Sequence, residues 1–589
     1  MPKKKQKEPA PAGATVASKA PSVFTLLKDY RAMVIWLVVL GIAANVLTLY
    51  LPQLISHIID GFISGKLNVR TLSYEFGAFA FGIFVFTYMQ TIVQTYASER
   101  VARDLRLKIV SKISRQGYRF IEDRNPSKLL TNITSDIDSI KMFVAQAVTS
   151  LVSSIVIILG AAVILLSIDW RLGLAVLTII PIIGGTFFVI LGMVRKLFKE
   201  AREVIDWLNK VINESILGAA LIRVLNSETL EHAKFEGANM KARTIGTGIL
   251  KLFSFMIPII TFVSSMGTLI VVTLGGYFVI HGTMTLGSFA AFTNYIVILI
   301  FPILVIGFMS NIIAQATASY TRIWEVLEAT DEKDEGRVIE PLTGAIEVSN
   351  VTVMYGEKPA LKDVSLTIHP GTKTAIIGPT AAGKTQLLNV MTGLTLPKEG
   401  DVKYDGKELG DFERASFYPQ IGLVFQDSVL FSTTVRENIA FSTTVTDAPL
   451  KKAVETAELA DFLHTLPSGL DTVVSERGTS LSGGQKQRLM LARALALDPK
   501  ILFLDDFTAR VDAHTERKIL SNIEKNYPHL TLISITQKIA PIEKYDQIVL
   551  LMEGEVLARG THKELMESSP EYVQIYDSQR STNAYELRT

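Results

Sequence analysis

The chain contains no cysteine among its 589 residues. Disulfide bonds, iron–sulfur clusters, thiolate zinc sites and cysteine nucleophiles are therefore excluded. It also lacks a charge excess, because 59 Lys and Arg residues stand against 57 Asp and Glu residues. A protein that binds nucleic acid normally carries a basic excess or stripe. We therefore expect no nucleic-acid partner.

Charge is also missing from five long runs in the N-terminal half, and these runs locate a membrane domain. A helical span needs about 20 apolar residues, so each of the first four runs accommodates one span. The fifth accommodates two, with a turn near His281-Gly282-Thr283. We predict six spans, since buried helices of soluble proteins average only ~11–12 residues. The uncharged runs are 32–59, 76–98, 142–168, 172–194 and 252–321.

Basic residues predict the orientation of these spans. The N-terminal segment and the two long loops, 99–141 and 195–251, hold 27 Lys and Arg residues, whereas the opposite side holds only Lys66, Arg70 and Arg171. Cytoplasmic loops carry the positive excess. We therefore expect a multi-pass protein of the plasma membrane with both termini in the cytoplasm.

The sequence suggests four successive regions. Residues 1–22 form a disordered basic tail, and 23–327 form the six-span domain, whose spans continue as helices into the cytoplasm. Within the long loops, 126–137 and 212–224 are good candidates for short docking helices, and a solvated charged face is the alternative if these loops are taken alone. The polar segment 328–343 is a linker, and 344–589 alternates strands with helices, which is typical of an α/β domain.

One motif in the α/β domain has the form of a phosphate-binding loop. The buried strand Lys373-Thr-Ala-Ile-Ile-Gly378 runs into a glycine-rich loop and then a helix, which is the context of a P-loop. Backbone amides at a helix start surround phosphate oxygens. The Lys384 ammonium suits the outer phosphates and the Thr385 hydroxyl suits Mg²⁺. The loop consists of Gly378, Pro379, Thr380, Ala381, Ala382, Gly383, Lys384 and Thr385.

Two further segments strengthen this prediction. The apolar strand Ile501-Leu-Phe-Leu-Asp505 ends in a carboxylate, which fits an Asp on the Mg²⁺ side of a P-loop. A second glycine-containing helix start offers another anion site. A strand that merely ends in Asp, and a simple N-cap at Ser482, are the alternatives for each segment alone. The second helix start is Leu481, Ser482, Gly483, Gly484 and Gln485.

In combination these motifs resemble an ABC transporter, specifically a half-size exporter that fuses a membrane domain to an ATPase domain. The resemblance covers the chain after residue 22 and implies ATP and Mg²⁺ as ligands. It implies adenine stacking on Tyr355, nucleotide contact at Gln386, and a role for Gln426 beside the metal and the attacking water. Thr385 and Asp505 are the other implied metal residues. Further matching positions are Glu476-Arg477-Gly478 and Asp512.

The resemblance also implies a dimer. In this family, each ATP lies between the P-loop of one chain and the signature of the other, which here is 481–485. The loop segments 126–137 and 212–224 resemble the coupling helices that connect ATPase closure to the spans.

The chain departs from the family at positions that matter for catalysis. Asp506 occupies the place of the glutamate that polarises the attacking water, and Gln537 the place of the switch histidine. Ala381 replaces a glycine and Gln386 a small hydroxyl residue. A general base contributes about 10²–10⁴-fold to rate. The pattern therefore resembles the degenerate-site subunit of bacterial heterodimeric exporters, whose partner supplies the competent Glu.

Cargo is predicted from what the spans lack. Intramembrane charge normally marks an ion or charged-substrate pathway, so its absence favours lipophilic or amphipathic drugs or lipids. Two alternatives stay open: a homodimeric exporter with slow hydrolysis, and an ATP-gated channel or regulatory subunit. Helix packing equally explains the amides within the spans. These amides are Asn45, Gln53, Gln90, Gln94, Asn294 and Asn311.

Overall fold

The computed structural model describes residues 21–586 except 67, 332–335, 357, 428, 443 and 476–477, with the backbone alone at 508–509 and 581–586. The predicted tail up to residue 20, the centre of the predicted linker and the Glu476-Arg477 pair lie outside the described residues. The described chain forms two units. One is mainly helical and comprises the chain up to Arg115 together with Arg124–Ala329; the other comprises Gln116–Asp123 and the chain from Thr330 onward.

The helical unit contains six helices that are long and apolar enough to cross a membrane. The prediction of six spans is confirmed, and the turn near His281 does separate the last two. Two short helices, α3 and α6, lie between the long ones in the sequence. In chain order the helices are α1 (Val23–Ile63), α2 (Val69–Ile113), α3 (Tyr118–Arg124), α4 (Pro126–Ile168), α5 (Trp170–Leu217), α6 (Ala219–Val224), α7 (Glu228–Ile280) and α8 (Leu286–Leu327).

The prediction of a short docking helix at 126–137 is wrong. Asn125, with φ 62°, separates α3 from α4, and its side-chain oxygen accepts a hydrogen bond from the Ser127 N–H at 3.0 Å. Pro126 then occupies the first turn, where its missing N–H costs nothing. The cap at Asn125 and the proline after it therefore mark the start of the third long helix, and they do not delimit a separate short helix.

The prediction for 212–224 holds only in its second half. Helix α5 continues to Leu217, and only Ala219–Val224 forms a separate helix. A Cβ at Gly218 would lie 2.9 Å from the Glu214 carbonyl oxygen, so glycine suits the break between the two helices.

Close approach and one buried hydrogen bond connect the long helices. A Cβ at Gly307 in α8 would lie 1.7 Å from the Phe187 ring in α5. Small residues at such crossings allow close packing of membrane helices. The Tyr295 hydroxyl of α8 donates to the Leu49 carbonyl oxygen of α1 at 2.6 Å, and the Tyr295 side chain is fully buried.

A buried ion pair joins the charged ends of α4 and α8. Asp136 is 2% exposed and accepts from the Ser319 hydroxyl at 2.9 Å and from the Arg322 Nε at 3.0 Å. The Arg322 Nη2 also donates to the Asp136 carboxylate. The Arg322 side chain keeps 52% of its surface exposed, so the two partners differ in their access to water.

The second unit is α/β, as predicted. A four-stranded antiparallel sheet has the order β2-β1-β4-β5, and a six-stranded sheet has the order β10-β9-β3-β8-β7-β6. In the larger sheet only β10 runs antiparallel to its neighbour. The strands are β1 (Ile346–Tyr355), β2 (Lys358–Ile368), β3 (Lys373–Ile377), β4 (Glu399–Tyr404), β5 (Lys407–Glu408), β6 (Ile421–Val424), β7 (Ile501–Asp505), β8 (Thr531–Thr536), β9 (Gln547–Met552) and β10 (Glu555–Gly560).

Helices surround these strands and continue the numbering of the first unit. They are α9 (Lys384–Met391), α10 (Arg414–Phe417), α11 (Val435–Ile439), α12 (Asp447–Thr456), α13 (Ala460–Thr465), α14 (Gly483–Leu495), α15 (Ala513–Asn526), α16 (His562–Ser568) and α17 (Pro570–Glu586).

Both faces of the large sheet are buried. In β7, Leu502 and Leu504 enter one apolar cluster, whereas Ile501 and Phe503 enter the other. Successive side chains of a strand point to opposite faces, and parallel strands covered on both faces are apolar throughout. This explains why β7 is an uninterrupted apolar run that ends at a carboxylate.

We predict an asymmetric response to breaking the Asp136–Arg322 pair. Arg322→Ala leaves a buried carboxylate without its cation, which should cost about 3 kcal/mol. Asp136→Ala leaves a half-exposed guanidinium that water can reach, which should cost about 1 kcal/mol. The measurement is the Tm of the purified protein in detergent.

Arg106→Ala is the matched control, because its pair with Asp138 leaves side chains 43% and 59% exposed and is worth ~0–1 kcal/mol. Equal losses for the two buried-pair variants, or a larger loss for Asp136→Ala, would contradict this account of the pair.

Candidate phosphate-binding site

Sheet topology assembles the site. Strands β3, β8 and β7 are parallel neighbours, with Ile377 opposite Thr536 and Asp505 opposite Ile535. The carboxyl ends of all three strands therefore meet at one edge, which is where open α/β sheets bind ligands. The segments that follow these strands are the predicted P-loop, Asp506 and Gln537.

The P-loop has a backbone that its glycines permit. Gly378 (φ 155°) and Gly383 (φ 99°) adopt positive φ, and a Cβ at Gly378 would lie 2.0 Å from the Leu551 carbonyl oxygen. Ala381 also has positive φ, at 66°. The left-handed conformation costs a residue with a Cβ about 1 kcal/mol. The loop thus keeps its shape with alanine in place of the usual glycine.

Lys384 is held at the start of α9. Its Nζ donates to the carbonyl oxygens of Gly378 at 2.7 Å and Pro379 at 2.8 Å. Burial lowers the pKa of Lys384, and the nearby carboxylates of Asp506 and Asp505 partly oppose this. An ammonium at a helix start, where the first backbone amides have no partner within the helix, is a site suited to phosphate.

Asp505 and Thr385 form the acidic side of the site. The Thr385 hydroxyl donates to Asp505 Oδ2 at 3.3 Å. Burial raises the pKa of Asp505 to about 6, with the Thr385 hydrogen bond opposing it. A carboxylate and a hydroxyl oxygen are donors that Mg²⁺ accepts, and Mg²⁺ usually completes its shell with phosphate oxygens and water. These residues therefore fit the predicted metal, which would offset phosphate charge.

One open cleft of about 970 Å³ gathers most of the predicted residues. Gly378 and Pro379 do not line it, but their carbonyl oxygens hold Lys384. The carbonyl oxygen of Gln426 accepts from Gln487 Nε2 at 3.2 Å. The predicted residues that line the cleft are Tyr355, Thr380, Ala381, Ala382, Gly383, Lys384, Thr385, Gln386, Gln426, Asp505, Asp506 and Gln537.

Among the lining residues that were not predicted, three are charged. Lys358 and Lys362 of β2 and Glu553 of the β9–β10 turn line the same cleft. The two lysines follow Tyr355 closely in the sequence, and this proximity is the sequence signal that could have placed them in the cleft. Glu553 lies far away in the chain, and only the sheet order brings it here.

The aromatic end of the cleft is held from two sides. The Tyr355 hydroxyl donates to Gln386 Oε1 at 3.1 Å, which gives the unusual glutamine a partner. The Arg119 guanidinium lies 5.7 Å from the centroid of the Tyr355 ring and donates to the Met354 carbonyl oxygen at 3.2 Å. Burial raises the pKa of Tyr355. No sequence pattern indicated Arg119, because it precedes Tyr355 by more than two hundred positions.

The predicted signature forms a separate pocket of about 500 Å³, lined by Ser482, Gly483 and Gly484 and by residues near Asp512. Ser482 caps α14, since its hydroxyl accepts from the Gln485 N–H at 3.3 Å while Gln485 Oε1 accepts from the Ser482 N–H at 2.8 Å. Ser482 is therefore an N-cap, as the alternative had it, and it also lines the pocket. Gln485 completes the cap and does not line the pocket.

Comparison with known proteins identifies the family. Residues 34–303 match the ABC transporter transmembrane region, and residues 361–509 match the ABC transporter family. The ABC transporter ATP-binding protein YfiB of Bacillus subtilis is 32% identical, over 94% of this chain and 98% of its own length. The chain belongs to the ABC transporter family as a half-size exporter.

Other relatives agree with this assignment. A putative multidrug export ATP-binding/permease protein of Staphylococcus aureus is 28% identical over 94% of this chain and 98% of its own length. The ATP-dependent lipid A-core flippase of Syntrophus aciditrophicus is 28% identical over 84% and 83%. A bacterial Atm1-family ABC exporter with ATP bound matches the fold with TM-score 0.77, at 23% identity, over 94% of this chain and 99% of that one.

Family membership indicates which ligand the cleft binds. The ATPase domain of this exporter implies ATP binding, with Mg²⁺ as the usual companion, and indicates ATP hydrolysis. The chemistry of the cleft agrees with this. The Lys384 ammonium and the backbone amides can bind phosphate, and the Asp505 carboxylate and the Thr385 hydroxyl beside them can bind Mg²⁺.

We predict that Mg·ATP affinity falls on acidification through the Asp505 carboxylate. At pH 7.5 the group is ionised, whereas at pH 5 an acid with a pKa of about 6 is ~90% protonated. Metal ligands must be deprotonated, so Kd should rise about tenfold between these values. Asp505→Asn removes this titration. Any dependence of Kd on pH that remains in this variant belongs to the nucleotide phosphates. The measurement is the Kd of Mg·ATP against pH for both proteins; parallel profiles would exclude Asp505 as the titrating ligand.

Proposed function

We propose that this half-exporter works in a heterodimer and moves lipophilic or amphipathic compounds, drugs or lipids, out of the cytoplasm or the inner leaflet. Its own P-loop site binds ATP but hydrolyses it poorly. Its signature completes the competent site of a partner that carries a catalytic Glu.

The observation that carries this proposal is the mixture of residues in one cleft. Lys384, Thr385 and Asp505 keep the chemistry of nucleotide and metal binding, whereas Asp506 and Gln537 replace the two catalytic residues of the family. Asp506 has φ 45° and its N–H donates to the Ile535 carbonyl oxygen at 2.8 Å, so its backbone is fixed. A side chain one methylene shorter then falls short of a water that a Glu would reach, and a displacement of about 1 Å can cost about 10²-fold in rate.

Two features support a dimer. The P-loop cleft and the signature pocket are separate in the described chain, so a nucleotide between a P-loop and a signature requires a second chain. In addition, the segment around α6 exposes apolar side chains. Leu217 is 79% exposed, Leu221 62% and Val224 81%. Contiguous exposed apolar residues are typical of an interaction surface.

The spans support a lipophilic cargo. The long uncharged runs offer no ionised group for a charged substrate. Two relatives are named for multidrug export and for lipid A-core flipping. We place the exporter in the plasma membrane with both termini in the cytoplasm, and we place the domain boundaries at 23–327, 328–343 and 344–589.

One observation favours a second candidate, a homodimeric exporter with slow hydrolysis. Asp506 still supplies a carboxylate to the cleft, beside Lys384 and Asp505. In a homodimer this carboxylate would be the general base at both sites, and no partner gene product would be needed.

The two nucleotide-contacting faces should respond differently to mutation in the heterodimer. Gly484→Asp places a negative charge in the signature pocket, against the terminal phosphate at the partner's competent site, and should abolish nearly all hydrolysis and transport. Lys384→Ala removes a phosphate contact at the poorly hydrolysing site and should leave measurable turnover with slower transport. ATPase rate and cargo flux are measured on the same preparations.

Gly484→Ala is the control for local strain, because any Cβ at this position lies 2.9 Å from the Arg510 carbonyl oxygen. It should lose far less activity than Gly484→Asp. If Lys384→Ala abolishes turnover while Gly484→Asp is tolerated, the assignment of the two sites is reversed.

A further inference from the structure

We propose that Gln579, on the C-terminal helix α17, is a positioning residue for the segment that follows β8. This segment contains Gln537, which lines the nucleotide cleft. The inference rests on the proposed function in one respect: Gln537 takes the place of a catalytic residue of the family, the switch histidine, and on that basis we infer that it faces the terminal phosphate of ATP.

The Gln579 amide connects to this segment at two points. Its Nε2 donates to the Gln537 carbonyl oxygen at 2.6 Å, and its Oε1 accepts from the Ile539 N–H at 2.9 Å. A third hydrogen bond, from the Lys538 N–H to the Thr536 hydroxyl at 3.0 Å, lies within the segment itself. The turn between the end of β8 and Ile539 is therefore held partly by a side chain from a distant part of the chain.

Helix α17 is fixed firmly enough to transmit this constraint. Tyr572, in its first turns, is fully buried in the same apolar cluster as Ile539 and Ile542. The Tyr572 hydroxyl is 2.7 Å from the His562 Nδ1 of α16. Ile539 is 1% exposed, so its side chain anchors the far end of the segment in the core. The Gln579 amide holds the backbone at that end and also at Gln537, near the cleft.

The contact requires an amide of this length. A glutamine side chain donates and accepts at once, whereas an ionised carboxylate only accepts. Glutamate at this position would keep the bond from the Ile539 N–H, lose the bond to the Gln537 carbonyl oxygen and place a charge beside that oxygen. Leucine would lose both bonds at similar size. The two substitutions therefore remove the constraint to different degrees.

The functional consequence concerns the terminal phosphate. Without the amide, the Gln537 backbone is free to rotate and its side chain no longer stays at the phosphate end of the cleft. ATP affinity should fall, whereas ADP affinity should not, because ADP lacks that phosphate. A residue that only stabilised the fold would change both affinities together.

The experiment uses the full chain, purified in detergent, with Mg·ATP and Mg·ADP as probes. We expect Gln579→Leu to raise the Kd of ATP about tenfold and to leave the Kd of ADP within twofold, and Gln579→Glu to have an intermediate effect. Hydrogen exchange of peptides that contain the Ile539 amide should quicken in Gln579→Leu. Gln574→Leu is the matched control, because Gln574 lies exposed on the same helix and should change neither quantity.

Gln537→Ala provides the reference for the role of the switch residue. If Gln537→Ala weakens ATP binding selectively and Gln579→Leu does not, the positioning role is overturned and the proposed function stands. If Gln537→Ala has no selective effect, the terminal-phosphate role of Gln537 fails, and the inference fails with it. Equal weakening of ATP and ADP by both Gln579 variants would also overturn it, because that result indicates a purely structural residue.

Discussion

The nucleotide site depends on one constraint, the parallel pairing of β3, β8 and β7. This pairing brings three chain segments to one edge of the sheet, and burial of both faces leaves the strands little freedom to shift register. A slip of one residue in β7 would turn Asp505 away from Thr385 and carry its apolar residues to the wrong faces. The predicted phosphate-binding loop, the predicted metal residues, Asp506 and Gln537 all owe their positions to this pairing.

The same constraint makes the substitutions in the cleft informative. The backbone at Asp506 is held by a hydrogen bond to β8, so the shorter carboxylate cannot recover its reach by moving the chain. The segment at Gln537 is held by an amide from the C-terminal helix. We propose that this rigid frame, with Asp506 and Gln537 in it, favours ATP binding over ATP hydrolysis, and that a partner chain supplies the competent site.

Local signals predicted much of this molecule. Uncharged runs gave the six spans, because water-free surroundings exclude ionised groups. The glycine pattern gave the P-loop, because φ and close backbone approach demand it at Gly378 and Gly383. The docking segment at 126–137 was assigned wrongly because a proline near a cap starts a long helix as readily as a short one. Arg119 and Gln579 were not predictable, since their partners at Tyr355 and Gln537 are distant in sequence and only the folded chain brings them together.

The most direct test of the degenerate site is the steady-state ATPase rate of this chain purified without a partner, measured beside its ATP affinity. The account predicts measurable ATP binding with turnover well below ~1 s⁻¹, which is the lower end of ordinary enzyme rates. Turnover above that rate would contradict the account and would favour a homodimer in which Asp506 is a competent base.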